Sequence, residues 1–74
     1  MKLPRLTPRK VLSALLRAGF YINHQSGSHV NLRHKTKPHL HVVIAMHGKD
    51  LAPKTLKSII AQSELAIEEF IKIL

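Results

Sequence analysis

Apolar side chains recur with helical spacing at both ends of this chain and alternate with polar ones in the middle. That change of period limits the folds open to it. Thr7 is a suitable N-cap and Pro8 a suitable first helical residue, and Val11, Leu12, Leu15 and Leu16 form an apolar stripe before Gly19 ends the helix. Lys10 and Arg17 are left for its solvent side. From Phe20 the pattern becomes FYINH, then QSG, then SHVNLRH, which predicts a hairpin. In its second strand Val30 and Leu32 point one way, and His29, Asn31 and Arg33 the other. KTKP supplies the next turn. HLHVVIAM supplies a third strand, with Leu40, Val42, Ile44 and Met46 on one face and His39, His41, Val43 and Ala45 on the other. Pro53 opens a second helix with the stripe Leu56, Ile59 and Ile60, leaving Lys54 and Lys57 to solvent, although Ala52 is a poor cap for it. Ile67, Phe70, Ile71 and Leu74 predict a short last helix. The order α-β-β-β-α plus a terminal helix predicts an α+β fold, in which helices back one face of a three-stranded antiparallel sheet and the other face is free for function.

Composition narrows the chemistry. The 74 residues include no cysteine and no tryptophan, so a single small core, spanning a domain of residues 1–74, has to be built from Leu, Ile and Val without a disulfide or a zinc-thiolate staple. No apolar run approaches the roughly eighteen residues of a membrane span. The first dozen residues lack a signal peptide's apolar stretch. A soluble, cytoplasmic protein is the expectation. The formal net charge is +8, and eleven of the twelve Lys and Arg residues lie in residues 1–57 with Asp50 as the sole acid there, whereas Glu64, Glu68 and Glu69 gather in residues 58–74. A field so biased attracts phosphate polyanions or an acidic protein.

Six histidines are present, but no HExxH, and His39 with His41 would supply two ligands without a third. No metal and no cofactor is expected. GxGxxG, GxxxxGK and the nucleophile elbow are missing too, and carboxylates are too scarce for glycosidase-like or two-metal chemistry. A histidine in a basic setting remains. Imidazole, with an ordinary pKa of about 6.5, can take the proton of a ribose 2′-OH as it attacks the adjacent phosphate. His29 follows the Gly27 turn, shares a strand face with Arg33, and stands within plausible reach of Lys10. The Gly27 and Ser28 N–H groups can hydrogen-bond a phosphate. By chemistry alone His29 fits a proton carrier and a plain surface residue equally well. His24 and His34 read as solvated side chains, His47 as a second proton carrier or a structural residue, and Tyr21 as a lone aromatic able to stack on a base.

Leu3-Pro4, Lys10, Gly19-Phe20, Gly27-Ser28-His29, His47-Gly48 and LAPKTLKSIIAQSELAIEEF, in this order and spacing, resemble the HicA toxins, and the resemblance runs from Leu3 to Leu74. It implies a fold like that of double-stranded-RNA-binding domains and the activity of an mRNA interferase, the toxin of a type II toxin-antitoxin pair. It also implies His29 as the catalytic histidine and a HicB antitoxin as partner. Arg5, Lys10, Gly27, Ser28, Arg33 and Lys35 are then the expected RNA-binding residues. A non-catalytic RNA-binding module and a partner-binding regulatory protein are the alternatives. Two positions depart from the family pattern: Ala45 stands where a proline is common, which relaxes the backbone before His47, and Ala66 stands where Ser or Thr is common, which leaves the last helix without a cap and Glu69 without its reciprocal partner.

Overall fold

A computed structural model describes residues 3–74. Its elements are α1 (Pro8–Arg17), β1 (Phe20–Ser26), β2 (His29–His34), β3 (His41–Ala45), α2 (Pro53–Ser63) and α3 (Ile67–Lys72). The strands form one antiparallel sheet in the order β1-β2-β3. The helices back one of its faces, as the sequence predicts, with α1 against β1 and β3 and α2 against β3. Val30, Leu32, Val42 and Ile44 turn inward and are almost wholly buried against Val11, Ala14, Leu15, Leu56, Ile59, Ile60 and Phe70. Each such aliphatic or aromatic side chain contributes about 1.5–3 kcal/mol by leaving water.

Several details differ from the sequence expectation. In α1 the buried positions are Pro8, Val11, Ala14 and Leu15. Leu12 is half-buried and Leu16 exposed, because each lies one residue, about 100° of helical turn, beyond the buried face. Thr7 does cap α1, its side-chain oxygen accepting the Lys10 N–H at 3.4 Å. Ala18, not Gly19, is the C-cap. Gly19 follows at φ +101°, where a Cβ would stand 2.9 Å from His34 Nε2. β1 runs two residues past FYINH, and β3 begins at His41, so His39 lies in the preceding turn.

Arg17 is not simply a solvent-side cation. Its guanidinium donates to the Ile73 carbonyl at 2.7 and 2.9 Å and to Ser13 Oγ at 3.0 Å, tying the end of α3 to α1. A helix of six residues is too short to persist alone. Phe70, fully buried, and Glu69, whose carboxylate accepts the Ala66 N–H at 3.0 Å, complete its attachment. Glu69 therefore keeps its half of the capping interaction, even though Ala66 has no oxygen to return it.

His34 is a structural residue rather than a solvated one. Its ring meets Phe20 edge-on at 4.9 Å, Nε2 lies 3.1 Å from the Ala18 carbonyl, and Nδ1 accepts the Thr36 and Lys37 N–H groups at 3.2 Å each. Gly19→Ala, strained in φ and crowding this ring, is expected to cost about 1–3 kcal/mol in urea unfolding. Gly48→Ala, whose Cβ meets nothing within 4 Å, is expected to stay within about 0.5 kcal/mol of the parent.

Candidate active site

The sheet face away from the helices carries three rows of side chains. Register pairs Ser26, His29 and Ala45 in the first, His24, Asn31 and Val43 in the second, and Tyr21, Arg33 and His41 in the third. Strict alternation along β1 would send Asn23 and Gln25 to this face. A bulge between Ile22 and His24 inserts one extra residue, and His24 and Ser26 come out instead. His41 Nε2 lies 3.0 Å from Asn31 Oδ1, which holds both side chains across the middle of the face. His39 instead meets Glu64 at 3.2 Å, so His39 and His41 do not form a pair. Among the described residues no three His, Asp or Glu side chains come together to hold a metal ion.

His29 is exposed at the head of β2, directly after a two-residue turn in which Gly27 adopts φ +57° and has open space above it. Positive φ is what a tight hairpin turn requires at this position. No hydrogen bond within the described residues engages the His29 ring, so both nitrogens are open to a substrate. Pairing of β2 with β3 continues one step beyond Ala45, where the Met46 N–H donates to the Ser28 carbonyl at 2.6 Å. This bond holds the segment that follows, His47-Gly48-Lys49, at the same end of the sheet as His29. His47 Nδ1 accepts the Lys49 N–H at 3.2 Å, so the neutral ring carries its proton on Nε2 and presents it as a donor.

The expected RNA-binding residues do not all surround His29. Gly27 and Ser28 adjoin it. Arg33 shares its face but lies four residues along β2, about 13 Å away, and Lys35 is farther still, beyond the end of the strand. Lys10 lies on the flank of α1 beside Ser13, Arg17 and Leu74, and Arg5 lies near Leu51, Pro53 and Lys57. At the segment after β3 stand Lys49, next to His47, and Arg9, which the sequence did not single out. Arg9, with Thr7, Met46, His47 and Gly48, lines a cleft of about 370 Å³. No pattern in the sequence pairs α1 with the segment after β3, so this juxtaposition appears only in three dimensions. Among the described residues no Lys or Arg pairs with a carboxylate within 4 Å, so their positive field is uncompensated at close range.

Among known families, residues 8–65 match one described as the HicA toxin of bacterial toxin-antitoxin. The chain belongs to the HicA toxin family. Its matched region holds α1, the whole sheet and α2, together with the Gly27-Ser28-His29 turn and His47-Gly48, while α3 lies beyond it. Membership gives the protein a general role in a toxin-antitoxin system. The HicA order of one helix, three strands and a further helix is also that of double-stranded-RNA-binding domains. No curated protein matches the chain. Among the described residues no helix is long and apolar enough to cross a membrane.

Long-range ¹H–¹⁵N correlation spectra of the neutral histidines check this reading of the HicA site. His34 and His47 are expected as single Nε2–H tautomers, and His29 as an exchanging mixture; a fixed Nδ1–H tautomer at His47 would contradict the hydrogen bond to Lys49.

Proposed function

We propose that this HicA protein is the toxin of a type II pair that cleaves mRNA as a metal-independent endoribonuclease, with His29 as its catalytic residue. The observation that carries the reading is an unencumbered imidazole at a glycine turn within the family-matched region. In the proposed step neutral His29 takes the proton of a ribose 2′-OH. The 2′ oxygen then bonds to the adjacent phosphorus, and the bond from phosphorus to the 5′ oxygen breaks. That oxygen leaves as a 5′-hydroxyl, its proton coming from solvent, and the other product ends in a 2′,3′-cyclic phosphate. No electron transfer occurs and no co-reactant is consumed. Cations stabilise the charge that builds on the phosphorane-like oxygens, and in this reading Lys49 acts at the His29 end while Arg33 meets the strand farther along the sheet.

Single-stranded mRNA suits this geometry. A flexible strand can rotate its 2′ oxygen into line with the scissile bond, whereas an A-form duplex holds it out of line. A HicB-type antitoxin is the proposed partner. An acidic surface on it would complement the basic segment, accelerating docking and favouring this pairing over others, and by covering His29 it would silence the toxin.

His29→Ala is expected to lower cleavage of a defined mRNA by about 10²–10⁴-fold, with the fold and antitoxin binding retained. End-group mapping is expected to find 2′,3′-cyclic phosphates. Undiminished cleavage by the variant would reject the role of His29, and RNA bound but left intact by the parent protein would make the chain a binding module. Arg33→Ala is expected to weaken RNA binding and to flatten its dependence on salt by roughly one unit of log-log slope, measured by titration at several ionic strengths.

A further inference from the structure

The cleft between the start of α1 and the segment after β3 has no part in the proton transfer at His29, yet its lining is suited to a ligand. Arg9 is exposed and has neither an ion-pair partner nor a hydrogen bond among the described residues. Across from it, His47 has its Nδ1 occupied by the Lys49 N–H at 3.2 Å, which leaves Nε2–H as the donor that can reach a ligand. Gly48 adds a stretch of backbone with nothing within 4 Å of where a side chain would be, so a bulky anion can approach closely. Lys49 follows directly. The end of the helix itself contributes little, since Thr7 oxygen already serves the Lys10 N–H and Pro8 has no N–H to give. The donors are two side chains and an open loop, with no carboxylate among the residues that line the space.

His29 is paired with Ala45, two residues before His47. Strand spacing and residue rise together place the backbones of His29 and His47 at most about 12 Å apart. Met46, which lines the cleft, is hydrogen-bonded to the residue before His29. The cleft and His29 thus lie at the same end of the sheet, close enough for one polynucleotide to reach both.

We propose that the cleft lined by Arg9, His47 and Gly48 is a subsite for a second RNA phosphate, the neighbour along the strand of the one cleaved at His29. The proposal rests on the ribonuclease reading for the identity of its ligand. Arg9 supplies charge and a forked pair of donors, and His47 supplies its Nε2–H, which makes His47 a binding residue in this proposal. The subsite sets which phosphodiester comes to His29 by anchoring the strand one step away.

The test separates the two readings by measuring binding without turnover. An uncleavable 2′-deoxy dinucleotide is titrated into the folded protein in three forms: without a terminal phosphate, with a 5′-phosphate and with a 3′-phosphate. Amide and imidazole shifts are followed by NMR. One terminal phosphate is expected to tighten binding about tenfold, the size of a charge-assisted contact, and to move the Gly48 amide and the His47 Nε2–H. Arg9→Ala is expected to reduce that advantage to twofold or less, Arg9→Lys to retain part of it, and His47→Gln, which keeps an N–H donor, to retain more than His47→Ala. Equal affinity for all three ligands, an advantage undiminished in Arg9→Ala, or shifts confined to other parts of the surface would overturn the subsite. A parent protein that binds the phosphorylated ligand as expected but leaves ribose-containing RNA uncut would instead overturn the ribonuclease reading and leave the phosphate site standing.

Discussion

Central strand β2 is paired on both sides, and its side chains alternate between a dry face and a wet one. Val30 and Leu32 are held in the core by the helices, and this commits His29, Asn31 and Arg33 to the opposite side. A slip of one residue in register would bury an imidazole, an amide and a guanidinium and expose two aliphatic side chains. The hydrophobic term that stabilises the sheet is thus the same term that presents the proposed catalytic ring. The helices pack on the other face, and their burial there fixes which side of the sheet is left open.

Identical side chains do different work here according to what their ring nitrogens meet. His34 is enclosed by backbone groups and an aromatic edge and serves the turn after β2. His41 is tied to Asn31 and His39 to Glu64. His47 has one nitrogen engaged and one free, whereas the rings of His24 and His29 have no partner among the described residues. Proton transfer needs a nitrogen that can both lose and gain a partner, and of these two only His29 stands at the Gly27-Ser28 turn. Composition cannot make this distinction, because it depends on contacts between residues distant in sequence.

Much of the fold was legible because the informative signals were local. Proline at the first helical position, a Thr cap, the change from helical to alternating period and the glycine turn each involve a handful of neighbouring residues, and together they specify the element order. The bulge at Asn23 was not legible, since FYINH reads as a plain strand and its extra residue is evident only against the register of β2. The roles of Arg17 and His34 were missed for the same reason, as their partners lie on other elements. For the site, the GSH turn and its family likeness singled out His29 from sequence. Charge counting gave the right sign for the field but not its layout, and Arg9, one helical position from the expected Lys10, faces the His47 segment while Lys10 faces away toward Leu74.

The link from Arg17 to the Ile73 carbonyl spans 56 residues of sequence. Closing so long a loop is entropically costly until the intervening chain has already compacted. The last helix, too short to hold itself together, depends on this link and on Phe70 seated in the core, which makes the amides of residues 67–72 a sensitive gauge of whether both attachments are in place.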